Sequence, residues 1–310
     1  MQKDKVVVIL GPTATGKSHC GIELARRLQG EIISGDSMLV YQKMNIGTAK
    51  PSPEELTLVP HHLINILPPD AEYSVADFQK QAGALIREIN QRGHLPIVVG
   101  GTGFYIQALL EGFQFSQVGP DQIRRQALEK EAEQLGLEVL YKRLVKLDPV
   151  TAAIIHPHDQ RRIIRALETA MGGDRVSRRT APDLIYEAAV FGLSMERSAL
   201  YTRINQRVDQ MLADGLGAEV KALLDAGLPA DAMSMRSIGY RQLAGYYQGK
   251  TTWQEAVQAI KQATRNFAKR QLTWYRHMPY IKWLELTLPV NYEFIVDNMQ
   301  SALVKKMKLL

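Results

Sequence analysis

The sequence has a single cysteine, Cys20, in 310 residues, and this scarcity limits what the protein can be. One cysteine cannot form a disulfide bond within the chain, so a disulfide-stabilised secreted scaffold is excluded. The N-terminal segment also lacks a long hydrophobic run, because Val6–Leu10 leads directly into a glycine-containing loop. Such a run is too short for a signal peptide or a membrane span. We therefore expect a cytoplasmic protein without a membrane segment, in which Cys20 is a small buried residue.

Basic residues outnumber acidic residues only in the second half of the chain. Residues 151–310 contain 22 Lys and Arg against 15 Asp and Glu, whereas residues 1–150 contain 16 against 17. An excess of positive charge suits a polyanionic partner such as nucleic acid, although a surplus of surface arginines alone is also common. With 45% hydrophobic residues the chain can bury a substantial core, so disorder is excluded as its default state.

Short apolar runs alternate with helical patterns in the first hundred residues. The runs Val6–Leu10, Ile32–Ile33 and Leu95–Val99 predict strands. Between them, Ser18–Leu28 and Ser74–Arg92 have apolar residues at helical spacing. This alternation predicts an α/β fold with a P-loop NTPase-like core, in which helices flank a parallel sheet. Ligands of such sheets bind at the carboxyl ends of the strands.

A change of character near residue 115 predicts a second domain. A Gly-Pro linker at Phe115–Pro120 leads into charged amphipathic helices, and an arginine-rich loop at Arg175–Pro182 follows them. We therefore predict a core over residues 1–115 and 186–310, interrupted by an all-helical insertion over 116–185. The predicted insertion helices are Asp121–Leu135, Leu137–Leu147 and Asp159–Met171. The return to the core is predicted as a strand at Ala188–Leu193, a helical stretch from Glu196 to Arg276 and an extended segment near Tyr280–Leu286.

The strongest motif is GPTATGKS, which matches G-x-x-x-x-G-K-[ST] at every fixed position and follows a predicted strand. Backbone N–H groups of such a loop wrap a phosphate, and the N-terminus of the next helix adds partial positive charge. The Lys17 side chain can reach the outer phosphate oxygens, and the Ser18 hydroxyl can hold Mg²⁺. The predicted phosphate-binding residues are Gly11, Pro12, Thr13, Ala14, Thr15, Gly16, Lys17 and Ser18.

Asp36 is the acidic residue that the predicted strands offer at a carboxyl end. The strand LPIVV ends instead in Gly100–Gly103, where the second acid of an ordinary P-loop hydrolase would be expected. A carboxylate at position 36 can accept a proton from an incoming nucleophile, or it can be a simple turn residue. Thr102 can donate a hydrogen bond to a leaving oxygen or a substrate atom, or its segment can be only a tight turn.

Basic residues recur in the helical pattern near the C-terminus. At 100° per residue, the members of this basic stripe fall within about 80° of one another. They are Lys261, Arg265, Lys269 and Arg276. Such a stripe suits a sugar-phosphate backbone, and a solvated face is the alternative. On another face of the same helix we expect residues that pack in the core, namely Trp253, Ile260, Phe267 and Trp274.

Together these segments resemble the tRNA dimethylallyltransferases of bacterial type, also called tRNA isopentenyltransferases, along almost the whole chain. The match includes GPTATGKS, SGDSMLVYQKMNIGTAKP from Ser34, VVGGTGFYIQALLEG from Val98, DPVTAAIIHPHDQRRIIRALE from Asp148, SIGYRQ from Ser237 and ATRNFAKRQLTW from Ala263. Two positions depart from the family pattern. Gly35 stands where alanine is usual, and His158 stands where asparagine is usual in a tRNA-contacting segment.

The resemblance implies a prenyl transfer. A dimethylallyl group would pass from dimethylallyl diphosphate to N6 of an adenosine adjacent to the tRNA anticodon, and pyrophosphate would leave. By position, Asp36 would be the base, Thr102 would lie beside the reacting centre, and Arg207 is the candidate for an additional pyrophosphate clamp. Thr13, Thr15, Gly16, Lys17 and Ser18 would bind pyrophosphate and Mg²⁺.

We separately expect a monomer, and the resemblance also implies a set of tRNA contacts. They are Asp36, Ser37, Met38, Leu39, Thr102, Arg124, Gln160, Arg161, Arg162, Ile163, Ile164, Arg236, Ser237, Ile238, Gly239, Tyr240 and Arg241, to which the basic stripe adds Arg265 and Lys269. The insertion would close over the anticodon stem. Eukaryotic members add a cysteine-rich zinc module, which a single cysteine rules out here.

Two other functions can use the same loop. A kinase for a small metabolite or nucleotide would hold ATP in it and use the arginine-bearing insertion as a lid. A nucleic-acid-binding protein with a vestigial loop is disfavoured by the intact Lys17 and Ser18.

Overall fold

A computed structural model describes residues 3–115, 121–173 and 184–307. The chain divides into two compact units, one of Met1–Leu110 with Leu184–Leu310 and the other of Glu111–Asp183. Most of the predicted linker, residues 116–120, and the predicted loop Arg175–Pro182 lie outside the described residues. None of the helices in the described part of the chain combines the length and the apolar character that crossing a membrane requires.

The first unit is built on a sheet in which every pairing of the described strands is parallel. The strands are Lys5–Leu10 (β1), Gly30–Ser34 (β2), His61–His62 (β3), Leu95–Gly100 (β4), Glu187–Met195 (β5) and Ile281–Leu286 (β6). Their order in the sheet is β3-β2-β4-β1-β5-β6. Parallel neighbours need crossover connections, which helices supply here. This order confirms the predicted parallel α/β core.

The helices are Lys17–Leu28 (α1), Pro53–Leu58 (α2), Val75–Gln91 (α3), Gly103–Glu111 (α4), Gln122–Leu135 (α5), Leu137–Leu147 (α6), Pro149–Ala152 (α7), Gln160–Met171 (α8), Arg197–Ala213 (α9), Leu216–Asp225 (α10), Tyr240–Tyr247 (α11), Trp253–Tyr275 (α12) and Tyr292–Met307 (α13). They agree with the predicted pattern for α1, α3, α5, α6 and α8, whereas α13 was not predicted. Capping boxes at Ser74 and Thr252 fix the first turns of α3 and α12, because each side chain accepts a backbone N–H three residues later.

Side chains of β1 alternate between two hydrophobic cores. Val6 and Val8 belong to the core on one face of the sheet, which includes Phe78 of α3. Val7 and Ile9 belong to the core on the other face. Because both faces are covered, the strand reads as an unbroken apolar run. Cys20 of α1 lies in the second of these cores, as the sequence predicts, and burial raises the pKa of its thiol to about 12.

The prediction that Trp253 packs in the core is wrong. Its side chain is 38% exposed, whereas Ile260 on the same helix is only 2% exposed. Trp253 is the first residue of α12 and contacts Tyr246 of α11 edge-to-face, with the ring centroids 5.3 Å apart. Ala256, in the first turn of α12, is already buried in that core, so Trp253 lies at its edge.

The second unit contains α5, α6, α7 and α8, packed around a small core of its own. Leu140, Leu144 and Ile163 are fully buried there. Glu168 is buried as well, and its carboxylate accepts hydrogen bonds from the Asp121 backbone N–H at 2.7 Å and from the Arg165 guanidinium at 2.9 Å. The helix bounds agree with the predicted insertion helices to within one residue at their starts.

Candidate active site

The phosphate-binding loop lies between β1 and α1 and has a strained backbone. Ala14 and Gly16 have φ values of +67° and +85°, in the left-handed region that favours glycine. A Cβ at Gly16 would also collide with the ring of Tyr292. Thr15 Oγ1 and Lys17 Nζ both donate to the carbonyl oxygen of Pro12, each at 2.8 Å. The loop therefore closes on its own carbonyl and keeps one compact shape.

Two residues of α12 tie this loop to the Gly100–Gly103 turn. The Thr13 backbone N–H donates to Gln271 Oε1 at 3.1 Å, and Gln271 Nε2 donates to the Gly101 carbonyl oxygen at 2.9 Å. The Tyr275 hydroxyl donates to the same Gly101 oxygen at 2.9 Å. Both side chains are buried. The sequence prediction missed them, although a glutamine at a buried position of an amphipathic helix was an available signal.

Arg203 of α9 also holds the phosphate-binding loop in place. The sequence prediction missed this residue as well. Its Nε donates to the Ala14 carbonyl oxygen at 2.9 Å, and its guanidinium donates to the Tyr292 hydroxyl at 2.8 Å. The two partners come from opposite ends of the chain, so local sequence gave no signal for this contact.

Asp36 lies two residues beyond the end of β2, at the carboxyl edge of the sheet. Its Oδ1 accepts the Met38 backbone N–H at 2.8 Å, so the carboxylate does form a turn. Burial raises its pKa above the ordinary value, while the positive charges of Lys17 and Arg207 offset part of that rise. Asp36 therefore closes a turn and, at the same time, lies in a buried environment near two positive charges.

Lys17 and Arg207 lie near enough to Asp36 for their charges to act on its carboxylate, and all three residues are half-buried. Burial and the charge of Arg207 together lower the pKa of Lys17 to about 7, against the opposing effect of Asp36. Burial also lowers the pKa of Arg207, against the effect of Asp36. A bound anion would stabilise the charged form of Lys17 and raise its pKa. The structure thus brings the predicted clamp residue and the predicted base to one site.

Thr102 joins the turn after β4 to the Asp36 segment. Its Oγ1 accepts the Ser37 backbone N–H at 3.1 Å and lies 3.4 Å from the Ser37 hydroxyl oxygen, to which it donates. A Cβ at Gly100 would collide with the backbone of Gly35, so glycine permits this close approach. The Gly100–Gly103 segment is therefore a tight turn, and the same turn holds Thr102 beside the segment that contains Asp36.

Several other predicted tRNA contacts of the first unit lie just before α11, on α11 or on α12. Met38 and Ile238 pack against the same hydrophobic core. Lys269 is exposed and lines a cavity of about 690 Å³ with Arg270, Trp274, His277, Gln107, Asn266 and Thr273. Arg265 is partly engaged, because its guanidinium donates to Asn205 Oδ1 at 2.6 Å.

Lys261, at the start of the basic stripe, forms an ion pair with Asp209 at 2.6 Å. Its charge is therefore partly neutralised within the protein, unlike that of the exposed Lys269. The proposed nucleic-acid role of the stripe stays a prediction for Arg265 and Lys269.

In the second unit, the predicted contacts lie on α5 and at the start of α8. Gln160, Arg161 and Arg162 are exposed, whereas Ile163 and Ile164 are buried in the core of the unit. Only the first three can therefore present side chains to solvent. The Arg124 guanidinium lies 3.5 Å from the Asp121 carboxylate.

Ser18 is the candidate metal ligand at the start of α1, and its side chain is exposed. Within the described ranges, no group of three or more His, Cys, Asp and Glu side chains is placed to hold a metal ion. Mg²⁺ at phosphate sites usually takes one or two protein oxygens, substrate phosphates and water. The residues present therefore fit Mg²⁺ that arrives together with a diphosphate.

Comparison with known proteins decides the family. A family model described as IPP transferase matches residues 39–278, and one described as isopentenyl transferase matches residues 4–65. The chain belongs to the IPP transferase family. It is 47% identical to the tRNA dimethylallyltransferase of Geobacillus kaustophilus, over 99% of this chain and 98% of the relative. It is 43% identical to that of Bacillus subtilis, over 99% of both chains.

Solved structures of the family agree with this assignment. The tRNA isopentenylpyrophosphate transferase from Bacillus halodurans superimposes with a TM-score of 0.73 at 44% identity, over 99% of both chains. A eukaryotic dimethylallyltransferase acting on tRNA superimposes with a TM-score of 0.79 at 28% identity, over 97% of this chain and 78% of that one. The family resemblance predicted from the sequence is confirmed.

Proposed function

We propose that this chain transfers a dimethylallyl group from dimethylallyl diphosphate to N6 of an adenosine adjacent to the tRNA anticodon. Relatives named tRNA dimethylallyltransferase match nearly the whole chain. The single observation that carries the proposal is the position of the Asp36 carboxylate two residues beyond the end of β2, near enough to Lys17 of the phosphate-binding loop and to Arg207 for their charges to act on it. A proton acceptor beside an anion site suits a reaction in which a diphosphate leaves and a nucleophile loses a proton.

The cations of the site bind and stabilise the leaving group. In this proposal Lys17 and Arg207 stabilise the negative charge that grows on the diphosphate oxygen as its bond to the prenyl carbon breaks. Fixed positive charge at that point lowers the barrier more than it stabilises the bound substrate. Mg²⁺ bound with the diphosphate at Ser18 would add further positive charge to the leaving oxygens.

Asp36 completes the transfer as the base. The lone pair of the exocyclic adenine amine is delocalised into the ring, so N6 is a weak nucleophile. As N6 forms its bond to the allylic carbon, its proton passes to the Asp36 carboxylate and pyrophosphate departs with the electron pair of the broken C–O bond. Because burial raises the pKa of Asp36, this carboxylate is a better proton acceptor than an exposed aspartate.

The target base must leave its stack to reach Asp36, which favours recognition of a single-stranded loop. The predicted tRNA contacts in the first unit are the Asp36–Leu39 and Arg236–Arg241 segments with Thr102, Arg265 and Lys269, and those that remain exposed at the start of α8 in the second unit are Gln160–Arg162, with Arg124 on α5. Monomeric state and cytoplasmic location also stay predictions.

The test is a prenyl-transfer assay with matched acceptors. Dimethylallyl diphosphate labelled in its prenyl group is incubated with unmodified tRNA, and with the same tRNA carrying guanosine in place of the adenosine adjacent to the anticodon. We expect label in the first tRNA only, recovered after digestion as an N6-prenylated adenosine. A parallel reaction with ATP labelled at its γ-phosphate addresses the kinase alternative. Phosphorylation of a small acceptor, with no label in either tRNA, would refute the proposal.

A further inference from the structure

Three successive backbone amides outside the phosphate-binding loop converge on one carboxylate. The Asn45 and Ile46 N–H groups donate to Glu219 Oε2 at 2.7 and 2.9 Å, and the Gly47 N–H donates to Oε1 at 3.2 Å. Glu219 belongs to α10, more than 170 residues along the chain. Successive amides in this arrangement form an anion-binding concavity, and here the protein supplies its own anion.

The same carboxylate also binds α11. The Tyr240 hydroxyl donates to Glu219 Oε1 at 2.5 Å, and the Tyr240 side chain is fully buried. Burial, together with the nearby Glu219, raises the pKa of Tyr240, so the hydroxyl remains a donor. A Cβ at Gly47 would collide with the Tyr240 ring, so the turn lies directly against that ring. Glu219 therefore holds the Asn45–Gly47 turn and Tyr240 together.

The two elements joined by Glu219 continue into the two segments of this unit that we expect to contact tRNA. Upstream of the turn, Leu39 and Val40 accept backbone hydrogen bonds from Asn65 and Leu67, each at 3.0 Å. These bonds fix the chain between the Asp36–Leu39 segment and the turn. Tyr240 itself lies within the Arg236–Arg241 segment.

We propose that Glu219 is a positioning residue for tRNA, which fixes the Asp36–Leu39 and Arg236–Arg241 segments relative to each other. This inference rests on the proposed function. Hydrogen bonds to an ionised carboxylate are stronger than neutral ones, and amides left without an acceptor are costly. Loss of the carboxylate therefore loosens the turn and its contact with Tyr240.

The diphosphate site gives an internal reference. The phosphate-binding loop is braced by Gln271 and Arg203, on helices other than α10. A change at Glu219 that acts through tRNA positioning leaves diphosphate affinity intact. A change that merely weakens the whole fold lowers both affinities.

The experiment compares Glu219→Gln with Asp225→Asn. The control removes an exposed ion pair with Lys221, 2.8 Å long, on the same helix. For Glu219→Gln we expect KM for an anticodon stem-loop RNA to rise about 10-fold or more. We expect the Kd of dimethylallyl diphosphate to stay within about 2-fold, because that site has separate supports. Amide hydrogen exchange of residues 45–47 is expected to speed up about 10-fold or more. Asp225→Asn is expected to change none of these.

The remaining outcomes of this experiment also decide whether the inference about Glu219 holds. An unchanged KM for RNA, or an equal loss of RNA and diphosphate affinity, would overturn the inference. If Glu219→Gln does not fold, Tyr240→Phe is measured instead, since it removes one donor and keeps the ring. A smaller rise in KM for RNA is then expected, and no rise overturns the inference. If the wild-type protein transfers no prenyl group, the proposed function fails. RNA affinity by filter binding and hydrogen exchange then still decide the role of Glu219.

Discussion

Strand β2 has a carboxylate near each end, and the two have opposite surroundings. Glu31, the second residue of the strand, accepts hydrogen bonds from the Arg92 guanidinium at 2.8 and 2.9 Å. Ring nitrogens of His62 and His94 lie 2.7 and 2.8 Å from its oxygens. Asp36, just beyond the other end, accepts a backbone amide and lies within the electrostatic influence of Lys17 and Arg207.

The pKa shifts of the two carboxyls follow from these partners. Burial raises the pKa of Glu31, but hydrogen bonds with Arg92, His62 and His94 together outweigh it and lower the pKa to about 2. Burial also raises the pKa of Asp36, and there the backbone hydrogen bond from Met38 and the charges of Lys17 and Arg207 offset the rise only in part. A carboxylate saturated with donors supports the fold, whereas one that keeps proton affinity can take part in chemistry.

The largest expected effect is at Asp36. Asp36→Asn keeps an oxygen that can accept the Met38 N–H but removes the proton acceptor. We expect the single-turnover rate of prenyl transfer to fall about 10³-fold, with tRNA affinity within about 2-fold because the turn is retained. Rapid-quench assays and filter binding measure the two quantities. Comparable losses in rate and affinity would mean that Asp36 serves the turn and not the chemistry.

A smaller effect, on stability alone, is expected at Glu31. Glu31→Gln removes the charge that its three cationic or hydrogen-bonding partners share, and we expect a loss of about 2 kcal/mol in the free energy of unfolding at neutral pH. The folded pKa is about 2 and the ordinary value is 4.5. This stability is therefore fully present above about pH 4.5 and is lost as the pH falls towards 2.

Denaturant unfolding from pH 7 to pH 3 checks this sign. The difference between wild type and Glu31→Gln should shrink as the pH decreases below 4.5. A difference that is constant with pH would remove the ionised carboxylate from the explanation. Prenyl transfer by the folded variant at pH 7 should match that of wild type, because Glu31 lies at the opposite end of β2 from Asp36.

From the sequence alone, it was possible to predict those strands and site residues that depend on a local pattern of residues. Strands β1, β2 and β4 follow from short apolar runs, and Asp36 follows from its place after one of them. Glu31 could not be recognised, because its partners Arg92 and His94 are more than 60 residues away along the chain. Strand β3 has two residues, His61–His62, and is too short for any periodicity.

The candidate active site likewise contains residues that a local motif predicts and residues that only long-range contacts bring together. The phosphate-binding loop is a contiguous motif, so all of its residues were predicted together. Its supports Gln271, Tyr275 and Arg203 reach it from distant helices, and only the folded chain reveals them. Helix α13 was also missed, and with it the Tyr292 ring that lies against Gly16. Long-range contacts of single side chains have no repeat that a sequence pattern could expose.

The smallest expected effect is at Gly35, which lies between the last residue of β2 and Asp36. A Cβ there would lie 3.2 Å from Val98 Cγ1 and 3.5 Å from Ile106 Cγ1, so a small side-chain shift accommodates it. Gly35→Ala should change the free energy of unfolding by less than about 1 kcal/mol, because reduced freedom of the unfolded chain offsets the tight contact. The transfer rate should stay within about 2-fold.

The matched control for this position is Gly100→Ala, whose new Cβ would collide with the Gly35 backbone itself. Backbone cannot move aside as a side chain can, so we expect clear destabilisation together with a slower transfer, measured by denaturant unfolding and single-turnover assays. A Gly35→Ala variant that keeps its stability but loses rate about 10-fold would show that a methyl group suffices to misplace Asp36. The comparison of Asp36 with Glu31 would then have to include the backbone at the carboxyl end of β2, because a single added methyl group there would slow the transfer.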